Sequence, residues 1–472
     1  MSEIFLVLIK SVKLDGKVYA LTSQGAESSK NNYSVIIGVN GVGKSRLLNQ
    51  IVSSVMGVEL VDEVPRGKTR LVELDSGGSF SIYGRSNDKA SYALLDCYAR
   101  RKCVDDLNVI AVTTSPFDRF PVPYRSRNKF KYRDDERFHY IGLRVSENNF
   151  NKTNLLNLFS RSLLKSGMCR SFKNVFRLLN YNNKVRIEFK SKISSDVIRR
   201  LYANVGRYSK GSAQKEYVLK VLGSVSEALV EKIKDDNQMI SNVVKSVAKN
   251  FSSGNKSVLI DKPVDAKTDL IFLLDMGVIQ VKRIELYSKS GRVVDFSESS
   301  SGEQCVLLSI LNLAGVIRDN SIVCIDEPEI SLHPSWQRLY VKLLQDCFRQ
   351  YKGCHFIIST HSPLIVSELD SMDCHVLNMA VNEVYAASDY AHQSVDFQLA
   401  TVFDTPGDNN EYLKRRAVTL LSKNSRVAGL SEAERQEARD LISRGERLSE
   451  KDVVKQLISL LERGVKARGN NA

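Results

Sequence analysis

Short apolar runs and longer stretches with helical spacing alternate along the chain. Tyr33–Ile37, Asn108–Thr113, Ser321–Ile325 and His355–Ser359 are rich in Val, Ile and Phe, as buried strands are, whereas Lys44–Val55 and Gly302–Ile317 carry the apolar spacing of helices. From about residue 150 to 250 the pattern turns helical, with Leu222, Val225, Leu229, Ile233, Ile240, Val243, Val244 and Val247 near one face. Strands resume near Val258 and continue at Ile284–Tyr287 and Arg292–Phe296. The C-terminal stretch predicts helices over Asn409–Leu421, Ser431–Ile442 and Ser449–Leu461. The last two open on Ser431-x-x-Glu434 and Ser449-x-x-Asp452, which read as capping boxes, with Gly445 and Gly464 as stops and Val453, Leu457, Leu460 and Leu461 as an apolar stripe. The fold class expected is α/β, a mixed central sheet flanked by helices. Four regions follow: an N-terminal half of a head (1–149), a basic, mainly helical insertion (150–255), the other half of the head (256–405) and a helical tail (406–472).

The chemistry sits at the ends of the predicted strands. Gly38-x-x-x-x-Gly43-Lys44-Ser45 links the first strand to the first helix. In such a loop, backbone N–H groups curl around phosphate oxygens at a helix N-terminus, where the helix dipole favours negative charge. Gly38, Asn40, Gly41 and Gly43 form the cradle, Lys44 reaches the β- and γ-phosphates, Ser45 holds magnesium and Arg46 follows. Ser321–Ile325 delivers Asp326 and Glu327 to a strand end, where ligands collect in parallel α/β sheets. Asp326 is expected to hold magnesium, directly or through water. Glu327 orients and deprotonates the attacking water, because in-line phosphoryl transfer needs a positioned nucleophile. A further strand ends in Thr360-His361-Ser362-Pro363, placing His361 against the γ-phosphate.

One segment has no use inside a single nucleotide site. Ser300-Ser301-Gly302-Glu303-Gln304 opens the helix before Asp326, and in ATPases with a Ser-Gly-x-Gln signature that segment caps the nucleotide held by a second copy. Ser301, Gly302, Glu303 and Gln304 are therefore expected at a partner's ATP, in a head-to-tail homodimer or a higher oligomer built from such dimers.

Together with Asp326-Glu327-Pro328-Glu329-Ile330-Ser331-Leu332-His333-Pro334, these motifs resemble the ABC-type P-loop ATPases of the overcoming-lysogenization-defect and RecF branch. Transporter ATPases usually carry Ser-Ala-Leu-Asp where this chain has Glu-Ile-Ser-Leu-His-Pro. The length and the segment Thr113-Thr114-Ser115-Pro116-Phe117-Asp118-Arg119-Phe120 are similar to the PtuA family of antiphage-defence ATPases, found in Septu systems and some retrons. That resemblance implies ATP and Mg2+ as cofactors, an HNH nuclease (PtuB-like) as partner and, in retrons, a reverse transcriptase with its RNA–DNA hybrid. It covers the nucleotide core strongly and the middle and C-terminal regions weakly. Two other functions compete: an ATP-gated, non-catalytic scaffold caging a toxin or nuclease, and a RecF-like repair ATPase.

Composition narrows the setting. The chain has 472 residues, enough for more than one core, and its eight cysteines include no Cys-x-x-Cys pair, so disulfides and zinc are not expected. Ile4–Ile9 is too short for a membrane span and lacks a cleavage site, which predicts a cytoplasmic protein. Charge is uneven: Asn151–Lys220 holds 16 Lys or Arg against 3 acids, a net of +13 where the whole chain carries +14. Lys165, Arg170, Lys173, Arg177, Lys184, Arg186, Arg199 and Arg200 alternate there with Phe159, Phe172, Tyr181 and Tyr202, a mixture suited to nucleic acid. An ordinary solvated face is the competing reading. Intrinsic nuclease activity is not expected: no Asp-x-Asp follows His361, and Glu188-Phe189-Lys190 lacks an upstream aspartate of the kind a metal site needs.

Overall fold

A computed structural model describes residues 8–23, 30–56, 72–74, 79–85, 92–98, 107–115, 118–121, 125–126, 129–130, 137–142, 144–146, 149–150, 152–205, 212–262, 268–298, 301–330, 332–369, 373–390, 393–425 and 430–469. Its centre is a seven-stranded sheet in the order Phe138–Ile141, Asn108–Thr113, Ser321–Asp326, His355–Ser359, Asn32–Ile37, Cys374–Asn378, Glu383–Ala386. All neighbours are parallel except the last pair. Asn108–Thr113, Ser321–Asp326, His355–Ser359, Asn32–Ile37 and Cys374–Asn378 are buried at every position, as parallel strands covered on both faces must be.

The two faces carry different cores. Tyr33, Val35, Ile110, Val112, Val323, Ile325, Phe356 and Ile358 point into the larger one, shared with Leu307, Leu311 and Ala314 of the helix Ser301–Val316. Tyr33 and Phe356 stack there at 4.8 Å. Ile36, Val109, Ala111, Ile322, Cys324 and Ile357 point the other way, onto Leu47, Leu48, Ile51, Val52 and Val55 of the helix Lys44–Met56. The phosphate-loop helix and the signature helix therefore lie on opposite faces of one sheet.

Residues 150–255 are mainly helical, with one long strand among them that pairs outside the segment. The helices Lys152–Ser166 and Arg170–Leu178 pack on the signature helix, and the strand Tyr181–Ser191 follows them. Val185, Ile187 and Phe189 are buried in alternation there, and the strand pairs with both Lys256–Ile260 and Ile279–Ser288. The boundary expected at residue 255 thus runs through a sheet whose strands come from both sides of it. Three further helices, Ala213–Val225, Glu227–Ile233 and Asn237–Phe251, bury the apolar face read from the sequence.

The tail has its own core, from Ala400, Leu413, Ala417, Leu420, Ala438, Leu441, Val454, Ile458 and Leu461. Ser431 and Glu434 form the reciprocal capping box of the helix Glu432–Gly445. Ser449 does not start a helix: Asp452 accepts from the N–H of Val454 at 2.7 Å, and the helix runs Val453–Gly469. That shift puts Val454, Ile458 and Leu461 in the core and leaves Val453 and Leu460 exposed. Gly464 is interior to this helix rather than its stop, and a Cβ there would come within 2.9 Å of Asn424 Nδ2. Glycine at that point lets two tail helices approach closely.

Candidate active site

Register brings distant motifs to one sheet edge. Asp326 pairs with Thr113 on one side and Ser359 on the other, and Ser359 pairs with Ile36. The loops that follow these strands, carrying Gly38–Ser45, Thr114, Glu327 and His361, therefore emerge side by side at the carboxyl edge, where such sheets bind ligands.

In the phosphate loop, Gly43 takes φ +107° and Gly38 φ +152°, and a Cβ on Gly38 would meet Val42 Cγ1 at 2.9 Å. The loop turns directly into the 13-residue helix Lys44–Met56, so its first N–H groups have no helical acceptors. Lys44 is buried, 5% exposed, with Nζ donating to Gly38 O at 3.0 Å and lying 2.6 Å from His361 Nε2. Burial lowers its pKa, while Glu327, Glu329 and Asp326 oppose that shift. A buried ammonium beside a glycine loop that opens a helix N-terminus fits a polyphosphate. Arg46 turns away to Asp15 at 2.6 Å, and Asn40 is exposed.

The magnesium ligands expected from the sequence meet. Ser45 Oγ donates to Asp326 Oδ1 at 3.1 Å, and Ser359 Oγ donates to the same oxygen. Burial raises the Asp326 carboxyl, and the two hydroxyls pull it down. One hydroxyl and one carboxylate beside a phosphate cradle suit Mg2+, which keeps few protein ligands and takes the rest from phosphate and water.

Glu327 adopts φ +47°, a left-handed conformation that non-glycine residues enter at a cost. Hydrogen bonds hold it there: its N–H donates to Ser359 O at 3.0 Å, and its carbonyl accepts from Ile330 N at 3.2 Å and Thr114 Oγ1 at 3.4 Å. The side chain is thereby turned toward His361, with Oε1 3.5 Å from Nε2. The bond to His361 holds the Glu327 carboxyl below its usual range, against the effect of burial. A half-exposed, ionised carboxylate at this edge is equipped to accept a proton from water.

Glu329 is the residue sequence reasoning quoted but gave no role. Its Oε1 accepts from the N–H of His361 at 2.5 Å, and its Oε2 is buried without a hydrogen-bond partner among the described residues. Burial raises this carboxyl, and the bond to the His361 N–H works the other way. Nothing in the local spacing distinguishes it from a solvated acid of the Glu-Pro-Glu turn. Ser359 was read only as a strand end, although its serine beside Asp326 is a signal in hindsight.

Other expectations separate. Gln304 Nε2 donates to Phe296 O at 3.1 Å at the start of the signature helix, while Ser300 and the side chains of Ser301, Gly302 and Glu303 lie outside what is described. Pro116, Phe117 and Ser331 lie outside it as well. Asp118 accepts from Tyr140 OH at 2.9 Å and from Phe120 N at 3.0 Å. Phe159 and Phe172 are fully buried and meet edge to face, so they are core and not contact residues for a nucleic acid. Glu188 accepts from Lys282 at 3.0 Å and Asn255 at 2.9 Å, which accounts for it as a surface ion pair. No helix among the described residues is long and apolar enough to cross a membrane.

Comparison with known proteins gives three curated relatives of note. The chain is 33% identical over 116 residues to the Retron Vc95 probable ATPase of Vibrio cholerae serotype O1 biovar El Tor, covering 22% of this chain and 20% of that protein. It is 29% identical over 161 residues to the Retron Ec83 probable ATPase of Escherichia coli, covering 31% and 29%. It is 23% identical over 360 residues to Endonuclease GajA of Bacillus cereus (strain VD045), covering 72% and 54%. The chain thus spans between a fifth and about half of the length of these relatives. The profile of the AAA ATPase domain matches residues 115–366, which hold the signature, Asp326, Glu327 and His361; the phosphate loop lies upstream of the match. A match over more than half of the chain, on an α/β sheet whose edge gathers these residues, places this protein in the AAA ATPase domain family.

Proposed function

We propose that this protein is an ATP-binding and hydrolysing subunit of an antiphage defence system of the Septu or retron kind, which governs a partner HNH nuclease through nucleotide-dependent self-association. The observation that carries the reading is the convergence of Lys44, Ser45, Asp326, Glu327 and His361 at one sheet edge. Lys44 and the loop N–H groups neutralise the β- and γ-phosphates. Bound at Ser45 and Asp326, Mg2+ would supply charge neutralisation between phosphate oxygens. Glu327 orients a water in line with the γ-phosphorus and takes its proton as the new P–O bond forms. The bond to the β-phosphate oxygen breaks, leaving ADP and phosphate.

Self-association is supported by the placement of the signature helix on the face opposite the phosphate-loop helix. In ATPases with a Ser-Gly-x-Gln signature that helix start caps the nucleotide held by a second copy, so a second copy is the donor of Ser301 in this reading. The defence setting rests on the resemblance of the motifs and on two relatives that bear the name retron probable ATPase. In that setting a reverse transcriptase and its RNA–DNA hybrid are further partners, nucleic acid contacts residues 151–220, and the tail, with its separate core and exposed Val453 and Leu460, is the dock for a nuclease. Cutting belongs to that partner in this reading, since Glu188 is engaged with Lys282.

Sedimentation velocity with and without Mg-ATP tests the proposal. Wild type and Glu327→Gln should shift to a dimer with nucleotide, and Lys44→Ala should not. A monomer in every condition, together with no phosphate release, would overturn it.

A further inference from the structure

We propose that the groove between the helices Ser195–Ala203 and Asn237–Phe251 binds single-stranded nucleic acid, seating a base on Tyr202 and the neighbouring phosphates on Arg199, Lys245 and Lys249. The proposal deepens the nucleic-acid reading of residues 151–220 and rests on it, but it draws two of its three cations, Lys245 and Lys249, from outside that segment.

The groove has a volume of about 600 Å³, and Arg199, Tyr202, Lys245 and Lys249 line it with no acidic residue among the lining side chains. That volume lies in the range of sites that hold a molecule the size of a nucleotide. Lys245 and Lys249 stand one helical turn apart, so like charges share one face, an arrangement that costs the isolated helix stability and is relieved by a bound anion. Two acids approach from the rim: Asp196 lies 3.7 Å from Arg199 and Asp269 lies 3.5 Å from Lys249, all four side chains being mainly exposed. Such solvated pairs hold little and give way to phosphate.

Tyr202 is the feature that separates a single strand from a duplex. It is 54% exposed at the end of its helix, although the helix buries its other large apolar residues, Ile198 and Leu201. On the other side of the same helix end a second cavity of about 220 Å³ is lined by Asn204, Gln214 and Tyr217, and Tyr217 is 44% exposed. Tyr202 offers its face to an unstacked base in the basic groove, and Tyr217 is a second exposed ring in the separate cavity at that helix end. A duplex hides its base faces and would need the cations alone.

The test uses the full chain and fluorescence anisotropy with a labelled oligothymidylate and a mixed-sequence duplex of equal length. Tyr202→Ala should weaken oligothymidylate binding by about tenfold, with Tyr202→Trp restoring it, the expected effect of losing and regaining one stacked base. Lys245→Gln combined with Lys249→Gln should flatten the dependence of log affinity on log salt by about 1.4, two phosphate contacts at about 0.7 each. ATP turnover should be unchanged in all of these variants, and thermal unfolding should match wild type. Binding by wild type that none of the substitutions alters would overturn the groove while leaving the basic segment as a nucleic-acid surface. Equal affinity for the duplex, with the same dependence on Tyr202, would overturn the single-strand assignment. No binding of either probe by wild type at moderate salt would overturn both.

Discussion

Replacing Glu327 by Gln removes the proposed base while leaving its surroundings in place. The glutamine is isosteric, and the left-handed backbone at φ +47° is held by the bond its N–H donates to Ser359 O and by those its carbonyl accepts from Ile330 N and Thr114 Oγ1, none of which involves the side chain. The hydrogen bond to His361 keeps the native carboxyl below its usual range, so at neutral pH it is ionised and ready to accept a proton. Loss of a positioned general base typically lowers turnover by about 10²–10⁴, or roughly 2.7–5.4 kcal/mol of barrier at 1.36 kcal/mol per decade. Nucleotide affinity should move differently. Glu327 is the leading acid that offsets the lowering of Lys44 by burial, so its neutralisation leaves that ammonium more in need of phosphate, and ATP should bind as tightly as in wild type or more so. Phosphate release at saturating Mg-ATP reads the first quantity, and calorimetric titration with ATP reads the second. Turnover within about twofold of wild type would show that Glu327 acts only in ground-state binding and would refute the assignment.

Two further outcomes follow from neighbouring groups. Glu329→Ala strips the acceptor from the buried-edge N–H of His361, and kcat should fall with KM little changed, while Glu329→Gln, which keeps an acceptor, should retain most of the rate; steady-state kinetics of both variants decides, and equal losses would mean a merely structural part. His355 is fully buried, with Ile9 N donating to Nδ1 at 3.2 Å and Nε2 2.8 Å from Ser34 Oγ, whose hydroxyl donates to Leu21 O. Burial pushes its pKa down to about 3. The native state thus refuses a proton that the unfolded chain takes near pH 6.5, so stability is whole above that pH and falls by about 1.4 kcal/mol per unit between roughly 6.5 and 3. Urea titrations at pH 7 and pH 5 should show the loss in wild type and a flatter response in His355→Gln.

Local pattern was enough wherever function sits on continuous runs. Asn108–Thr113 and His355–Ser359 were legible to the residue, and the phosphate-loop and signature helices to within one or two, because strands buried on both faces read as apolar runs and the glycines of the loop mark the turn. Tyr181–Ser191 was lost because its polar face is densely charged, with Lys184, Arg186, Glu188 and Lys190 alternating against Val185, Ile187 and Phe189, and its partners lie far along the chain. The role of Glu329 was equally hidden: only a fold that sets His361 beside it distinguishes it from Glu327 two residues earlier. The shift of the last tail helix has a similar origin, since Asp452 caps it while also accepting from Asn409 N at 2.9 Å, a partner 43 residues upstream in the chain.

The same packing gives the proposed tail dock a physical link to the nucleotide. Ser362 follows His361 directly, donates to Gln337 Oε1 at 2.6 Å and caps the short helix Pro363–Ser367. That helix packs on Val395–Thr401, which packs in turn on the tail helix Glu411–Asn424, where Asp396 accepts from Glu411 N at 2.9 Å. A displacement of His361 on loss of the γ-phosphate therefore meets helices in contact all the way to the tail. Contact alone is not coupling, which needs an element with two arrangements that both ends bias. The short helix Pro363–Ser367 is the place to look for one, because Ser362 caps it next to His361 and its other side packs toward the tail, so a double-mutant cycle between Ser362 and Asp396, read as ATP affinity, separates a transmitting link from two independent contacts.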